Sequence, residues 1–185
     1  MPSVTEIYNG VLYLVGATAI IDPDERNGRI INNFYPVARD EVLAAAEWNF
    51  AMERKQLSQL VDAPAFEFTY QYALPSDPYC LRVVEVYDTY NKWLVEGRKL
   101  LTNDSTCKVR YIKRVEDSMQ FQPIYVKALQ FYLASMVAFP IQRDRGLAGY
   151  YMELYGMAIN EAMTANSAEG DTSEIINTEL TDTRR

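Results

Sequence analysis

The chain predicts an α+β fold: an antiparallel helical bundle with an inserted small antiparallel β-sheet domain and an extended C-terminal tail. Three observations point there. Apolar residues recur at helical spacing over the first fifty positions, alternate between about residues 51 and 119, and return to helical spacing from Pro123. The first switch falls in Tyr35–Ala51, where Val37, Leu43, Ala44 and the following alanines keep helical spacing while Trp48 and Phe50 alternate with Glu47 and Asn49 as a strand does. Beyond Asn166 the composition turns to Ser, Thr, Asp, Glu and Gly, with too few apolar side chains to order itself. The implied organisation is 1–50 with 120–166 as the bundle, 51–119 as the β-rich insertion and 167–185 as a flexible docking arm.

A chain of 185 residues is long enough for one domain with a proper core, burying roughly 70% of its unfolded surface. Hydrophobic residues at 49% and charged residues at 23% mark it as globular. Its 14 tyrosines suit half-buried surfaces where proteins meet, and ordinary sheets also collect them. A net charge of −7 disfavours gripping nucleic-acid phosphates, although an acidic wall lets DNA slide past. Histidine is absent, which removes Ser-His-Asp and Cys-His nucleophile systems and every His-containing metal site. Cys80 and Cys107 lack metal-site spacing and are expected to be reduced, partly buried thiols. No basic-then-apolar leader is visible, and the longest apolar run, around Ala134 to Ile141, is too short to span a bilayer. The expectation is a protein assembled in the cytoplasm with no membrane partner.

The first helix is expected from about Ser3 to Gly16, Ser3 and Glu6 forming a capping box over the stripe Ile7, Val11, Leu14 and Val15. Asp22-Pro23-Asp24 breaks the chain, Asp24 is the expected cap of the next helix, and Ile30, Ile31, Phe34 and Val37 continue it. Pro36 should kink or divide that helix. Met52 to Leu60 reads as an extended arm carrying Arg54-Lys55. Phe66 to Tyr72 reads as the clearest strand, with its four aromatics Phe66, Phe68, Tyr70 and Tyr72 on one face. The prolines of Leu74–Pro78 stop it. Leu81 to Tyr87 is the next strand, and Lys92–Val95 with Lys99–Leu101 reads as a hairpin turning at Glu96-Gly97.

Cys107 to Val115 is the last strand, Val109 and Tyr111 facing one way and Arg110, Ile112 and Arg114 the other. Lys108, Arg110, Lys113 and Arg114 with Arg98 form the one basic concentration, expected as a solvated sheet face. Pro123 suits a first helical position, Ile124 to Phe139 is apolar nearly all round, and Pro140 is the expected stop. After the turn at 142–146 a helix from about Leu147 to Ala165 should return antiparallel, packing through Leu147, Tyr150, Tyr151, Leu154, Ala158 and Ala162.

Catalysis without histidine would rest on other groups. Glu41, Glu47, Glu67, Glu85 and Glu96 are each explained as polar-face residues, with no two expected across a cleft as glycosidic cleavage requires. Walker, GxGxxG and GxSxG signatures are absent, and Gly146 and Gly149 are turn glycines. No catalytic, cofactor-binding or metal-binding residue is expected, so the reading by elimination is a binding or structural protein. Within the arm, Glu174, Ile175, Ile176, Asn177 and Leu180 form a short docking segment, able to add an edge strand or lay apolar anchors in a groove.

Tyr35-Pro36-Val37-Ala38-Arg39-Asp40-Glu41-Val42-Leu43, then Trp48-Asn49-Phe50-Ala51 with Arg54 and Leu57, then the aromatic strand ending Leu74-Pro75-Ser76-Asp77 with Leu81-Arg82-Val83, then Glu96–Leu101, run in order over about residues 25 to 165. This succession resembles the tail tubular protein A family of tailed bacteriophages. The resemblance implies a virion protein at the head–tail junction: a dodecameric ring beneath the portal, bound to the portal above, the tail nozzle below and its own copies alongside. Genomic DNA would pass through the lumen without sequence-specific binding. It further implies that the arm docks on the portal, that Phe66, Phe68, Tyr70, Tyr72 and Tyr111 face neighbouring subunits or the nozzle, and that Tyr35, Pro36, Arg39, Asp40, Trp48 and Phe50 are the family-motif core. For some related adaptors it implies a peptidoglycan-cleaving activity, which no matching carboxylate pair supports here. That muramidase-like role and a nucleic-acid-binding module are the alternatives.

Overall fold

A computed structural model describes residues 2–89 and 91–170, which carry four α-helices and two three-stranded antiparallel sheets, a mixed α+β arrangement. Helix α1 spans Val4–Leu14 and α2 spans Arg26–Ala45; strands β1 (Met52–Gln56), β2 (Tyr70–Ala73), β3 (Cys80–Tyr87), β4 (Trp93–Glu96), β5 (Lys99–Thr102) and β6 (Lys108–Lys113) follow. Helices α3 (Pro123–Gln142) and α4 (Arg145–Gly170) complete the chain order. The arm segment 174–180 lies outside the described residues, and α4 continues four residues past the compositional break at Asn166.

Helix α1 starts as its sequence demands: the Ser3 hydroxyl accepts from the Glu6 N–H at 3.2 Å and the Glu6 carboxylate accepts from the Ser3 N–H at 2.6 Å. Past its end at Leu14, Gly16 at φ +70° lets Ala17 N–H reach the Leu12 carbonyl at 2.8 Å, a Schellman closure that a Cβ would strain. Asn9 then straps the following loop down, donating to the Ile20 carbonyl at 2.9 Å and accepting from the Ile20 N–H at 2.8 Å. The cap of α2 differs from expectation. Glu25, not Asp24, holds that corner, its carboxylate accepting from the N–H groups of Ile21 and Asp22. Pro36 does not divide α2, which runs unbroken through it with Pro36 on the exposed side. The burial of Ile31, Tyr35, Ala38, Val42 and Leu43 along one stripe outweighs the single lost backbone bond.

The hand-over from helix to sheet is tighter than alternation suggested. Trp48 and Phe50 lie not in a strand but around a 3₁₀ turn at Asn49–Ala51, and β1 begins only at Met52. Trp48 is fully buried and its indole N–H donates to the Val42 carbonyl at 2.8 Å, satisfying one of the acceptors that the end of α2 leaves open. Its ring and that of Phe50 meet Tyr125 edge-on, with centroids 5.1 and 5.2 Å apart.

The strands form two sheets, ordered β1-β6-β3 and β2-β5-β4. The alternation read in β6 holds, and both of its faces are covered. Ile112 packs into the helical core, while Val109 and Tyr111 pack with Leu57, Tyr72, Cys80, Leu100 and Cys107 into a second core between the sheets. The expected strand from Phe66 shrinks to Tyr70–Ala73, because Glu67 adopts φ +69°, incompatible with a ladder. Gly97 at φ +57° supplies the first position of the two-residue turn between β4 and β5.

Helix α3 packs against α1, α2 and α4. Its length and composition suffice to cross a membrane, contrary to the run-length argument, but Tyr125, Leu129, Leu133, Ala134, Val137 and Ala138 are all fully buried against its neighbours. Pro140 does not end it. The helix continues to Gln142 and stops at Arg143, which turns left-handed at φ +61° and donates to the Phe139 carbonyl at 2.9 Å. Lys127 near the start of α3 pairs with Glu161, whereas Phe131 and Tyr132 about a turn further on meet Tyr151 and Tyr155 earlier in α4, so the two run antiparallel. Tyr150 is turned out to solvent rather than onto α3.

Candidate interaction surfaces

The motif residues converge on the joint between helices and sheet. Asp40 accepts from Arg39 Nε at 3.0 Å through one carboxylate oxygen and from Arg114 Nε at 2.8 Å through the other, tying α2 to the end of β6. Arg39 also reaches Glu116 at 3.4 Å, and its backbone carbonyl accepts the Tyr125 hydroxyl at 3.1 Å. Tyr35 is buried beside Tyr8, ring centroids 5.4 Å apart, and its hydroxyl has no hydrogen-bond partner among the described residues. Burial raises the ionisation of Tyr125 far above the ordinary phenol value. Tyr35, Arg39, Asp40, Trp48 and Phe50 therefore act together as a structural hub, with Pro36 at the surface.

The expected contact aromatics do not share a surface. Phe66 is 81% exposed, but Phe68 is buried, Tyr70 half-buried, and Tyr72 and Tyr111 lie fully inside the second core. Their tips are engaged there, Tyr72 donating to the Asp104 carbonyl at 2.8 Å and Tyr111 facing Glu53 at 3.4 Å. An interface role is thus withdrawn from Phe68, Tyr72 and Tyr111. The signal missed was β6 covered on both faces, which makes its aromatics core. Exposed apolar residues instead include Val61 and Phe66 in the loop ahead of β2, Leu94 and Val95 on β4, and Tyr150, Met152 and Met157 on α4.

The basic cluster also dissolves into the structure. Lys108 pairs with Asp88 at 2.7 Å, Arg110 with Glu47 and Glu85 at 3.4 Å, Lys113 with Glu53 at 3.0 Å, and Arg114 with Asp40 at 2.6 Å. Arg98 donates to the carbonyls of Cys80 and Pro75 and lies 4.0 Å from the centre of the Tyr79 ring. Each of the five cations of that cluster is thus engaged within the fold rather than displayed as a solvated face.

Beside Phe66, the loop after Leu60 encloses a cavity of about 510 Å³ walled by Asp62, Glu67, Glu96 and Lys99 with Phe68 and Leu101. Contrary to expectation, two of the candidate carboxylates, Glu67 and Glu96, do share a cleft, although Glu67 is engaged by Lys92 at 2.8 Å. Among the described residues no three Cys, Asp or Glu side chains stand together as metal ligands. Cys80 and Cys107 are free and buried, and burial pushes both thiols up to about 11. Tyr132, half-buried and bonded to the Glu41 carboxylate, is pushed up to about 12.

No family model and no curated protein sequence matches this chain.

Proposed function

We propose that this chain is a structural virion protein, a head-to-tail adaptor whose copies close into a ring joining the portal to the tail nozzle, with DNA passing through the lumen. In this reading α1–α4 are the antiparallel bundle, the two sheets are its insertion, and the segment around Glu174–Leu180 is the portal-docking arm. The observation that carries it is the convergence of the family-like motif. Residues matched in order along the sequence meet in space at the hub of Arg39, Asp40, Trp48 and Phe50, which fixes the helices against the sheets. A ring subunit needs such a rigid body to fit its neighbours. Native mass measurement and cryo-electron microscopy of the protein with its cognate portal are expected to give a closed ring. Deleting Ser173 to Arg185 is expected to leave a folded subunit that no longer joins the portal. A lone subunit under every condition, portal included, refutes the reading.

The carboxylates of Glu67 and Glu96 around one cavity favour a second reading, a muramidase-like virion protein. Loss of turbidity of purified cell walls that Glu67→Gln or Glu96→Gln abolishes would establish it. With its cluster of bases paired internally, a nucleic-acid-binding module has the least support.

A further inference from the structure

We infer that the free edge of β1 is a strand-accepting site and that its occupant is the acidic segment Glu174–Leu180 of the same chain. Strand β1 lies at the end of the sheet order β1-β6-β3 and, among the described residues, is hydrogen-bonded to β6 on one side only. Leu57 N–H donates inward to the Cys107 carbonyl at 2.8 Å, so by the antiparallel alternation residues 53, 55 and 57 face β6 and residues 52, 54 and 56 turn their backbone groups outward. Bare edges of this kind template further pairing unless something covers them.

The chemistry of this edge is specific. Arg54 and Lys55 are exposed and, among the described residues, have no carboxylate within ion-pair distance, whereas Lys108, Arg110 and Lys113 of β6 and the adjoining Arg114 are each engaged. They line a cavity of about 390 Å³ with Gln56, Val109, Tyr87 and the ion pair Lys108–Asp88, whose carboxylate is already taken by Lys108 at 2.7 Å. Two uncompensated cations on a chain of net charge −7 suit an acidic extended peptide. The sequence holds one: Ile175, Ile176 and Thr178 favour a strand, and Glu174 and Glu179 supply the opposite charge.

Its point of departure is also right. Glu161 pairs with Lys127 on the first turns of α3, and Tyr125 on that same end touches Phe50, two residues ahead of β1. Helix α4 therefore delivers the chain to the end of the helical layer where β1 begins. Residues 171–185 when extended reach up to about 50 Å, ample to lie along a five-residue strand. Occupied, the edge is masked and the segment's apolar side chains are withheld from other partners. The inference rests on the sheet edge and its charges and stands apart from the adaptor reading, since no portal enters its test.

Amide hydrogen exchange on the full-length protein, read residue by residue by NMR, tests it. The Arg54 and Gln56 amides are expected to be protected by about 100-fold or more, independently of protein concentration. Ile175→Asp with Ile176→Asp, or Arg54→Glu with Lys55→Glu, should abolish that protection while the Val109 amide of β6 stays protected, showing the fold intact. Adding Glu174→Lys and Glu179→Lys to the Arg54→Glu/Lys55→Glu protein should restore it. Free exchange at both amides in the native protein overturns the inference. So does protection indifferent to the isoleucine changes, or protection that grows with concentration, which would mean pairing of two copies edge to edge.

Discussion

Replacing Asp40 by alanine tests the hub most directly. The carboxylate receives Arg39 through Nε at 3.0 Å and Nη2 at 2.9 Å, and Arg114 through Nε at 2.8 Å and Nη2 at 2.6 Å. The two pairs differ in value. The Arg114 side chain is 33% exposed, so water screens most of its contribution to about 1 kcal/mol or less. The Arg39 side chain is 10% exposed, and without Asp40 its guanidinium keeps only Glu116 at 3.4 Å. Stranding a buried charge costs more than losing a surface pair, so the total expected loss is about 2–4 kcal/mol. Urea unfolding followed by tryptophan fluorescence should show the midpoint falling by ~1–2 M with unchanged slope. A double-mutant cycle should give a larger coupling for Asp40 with Arg39→Met than with Arg114→Met. A loss below about 0.5 kcal/mol, or coupling dominated by Arg114, would refute the account.

Glycine positions give a second, opposed pair of expectations. A Cβ on Gly28 would sit 2.2 Å from the Pro23 carbonyl oxygen, a backbone atom, so Gly28→Ala should destabilise by about 1–3 kcal/mol despite its better helix propensity. Gly156 in α4 has nothing within 4 Å of that position, and Gly156→Ala should instead stabilise by about 0.5–1 kcal/mol, both variants being read by the same urea unfolding. Trp48→Phe keeps the ring in the core but leaves the Val42 carbonyl without the indole N–H, with an expected loss of about 1–3 kcal/mol by urea titration. For the thiols the sign follows from proton counting. Below pH 9 both folded and unfolded chains carry them neutral; between 9 and 11 the unfolded chain ionises first, because burial holds the folded thiols at about 11. Stability should therefore fall as pH rises through that window, and Cys80→Ser/Cys107→Ser should flatten that part of the fall. The native thiols should also resist alkylation at neutral pH until the protein is unfolded.

Periodicity and caps determined a great deal of this protein by themselves. The Ser3–Glu6 box starts α1, Pro123 opens α3, the hairpin turns at Gly97, and β6 alternates as written, because each depends on atoms a few residues apart whose geometry the local sequence dictates. The candidate site was less legible. Motif spacing singled out Arg39 and Asp40, but their partners Arg114 and Glu116 lie more than seventy residues away, and no local pattern encodes that meeting. The prolines were misjudged for a similar reason: Pro36 and Pro140 break isolated helices, yet the burial around them exceeds the cost of one missing bond. Exposure was decided wholly by the tertiary structure. Tyr72 and Tyr111 have the amphipathic character of contact residues, and only the stacking of one sheet on the other made them core. The same tertiary arrangement matched Lys108, Arg110, Lys113, Arg114 and Arg98 to an acid or a carbonyl while leaving Arg54 and Lys55 without a carboxylate among the described residues. Which charges are compensated depends on how strands are ordered across space, and one-dimensional spacing carries no record of that order.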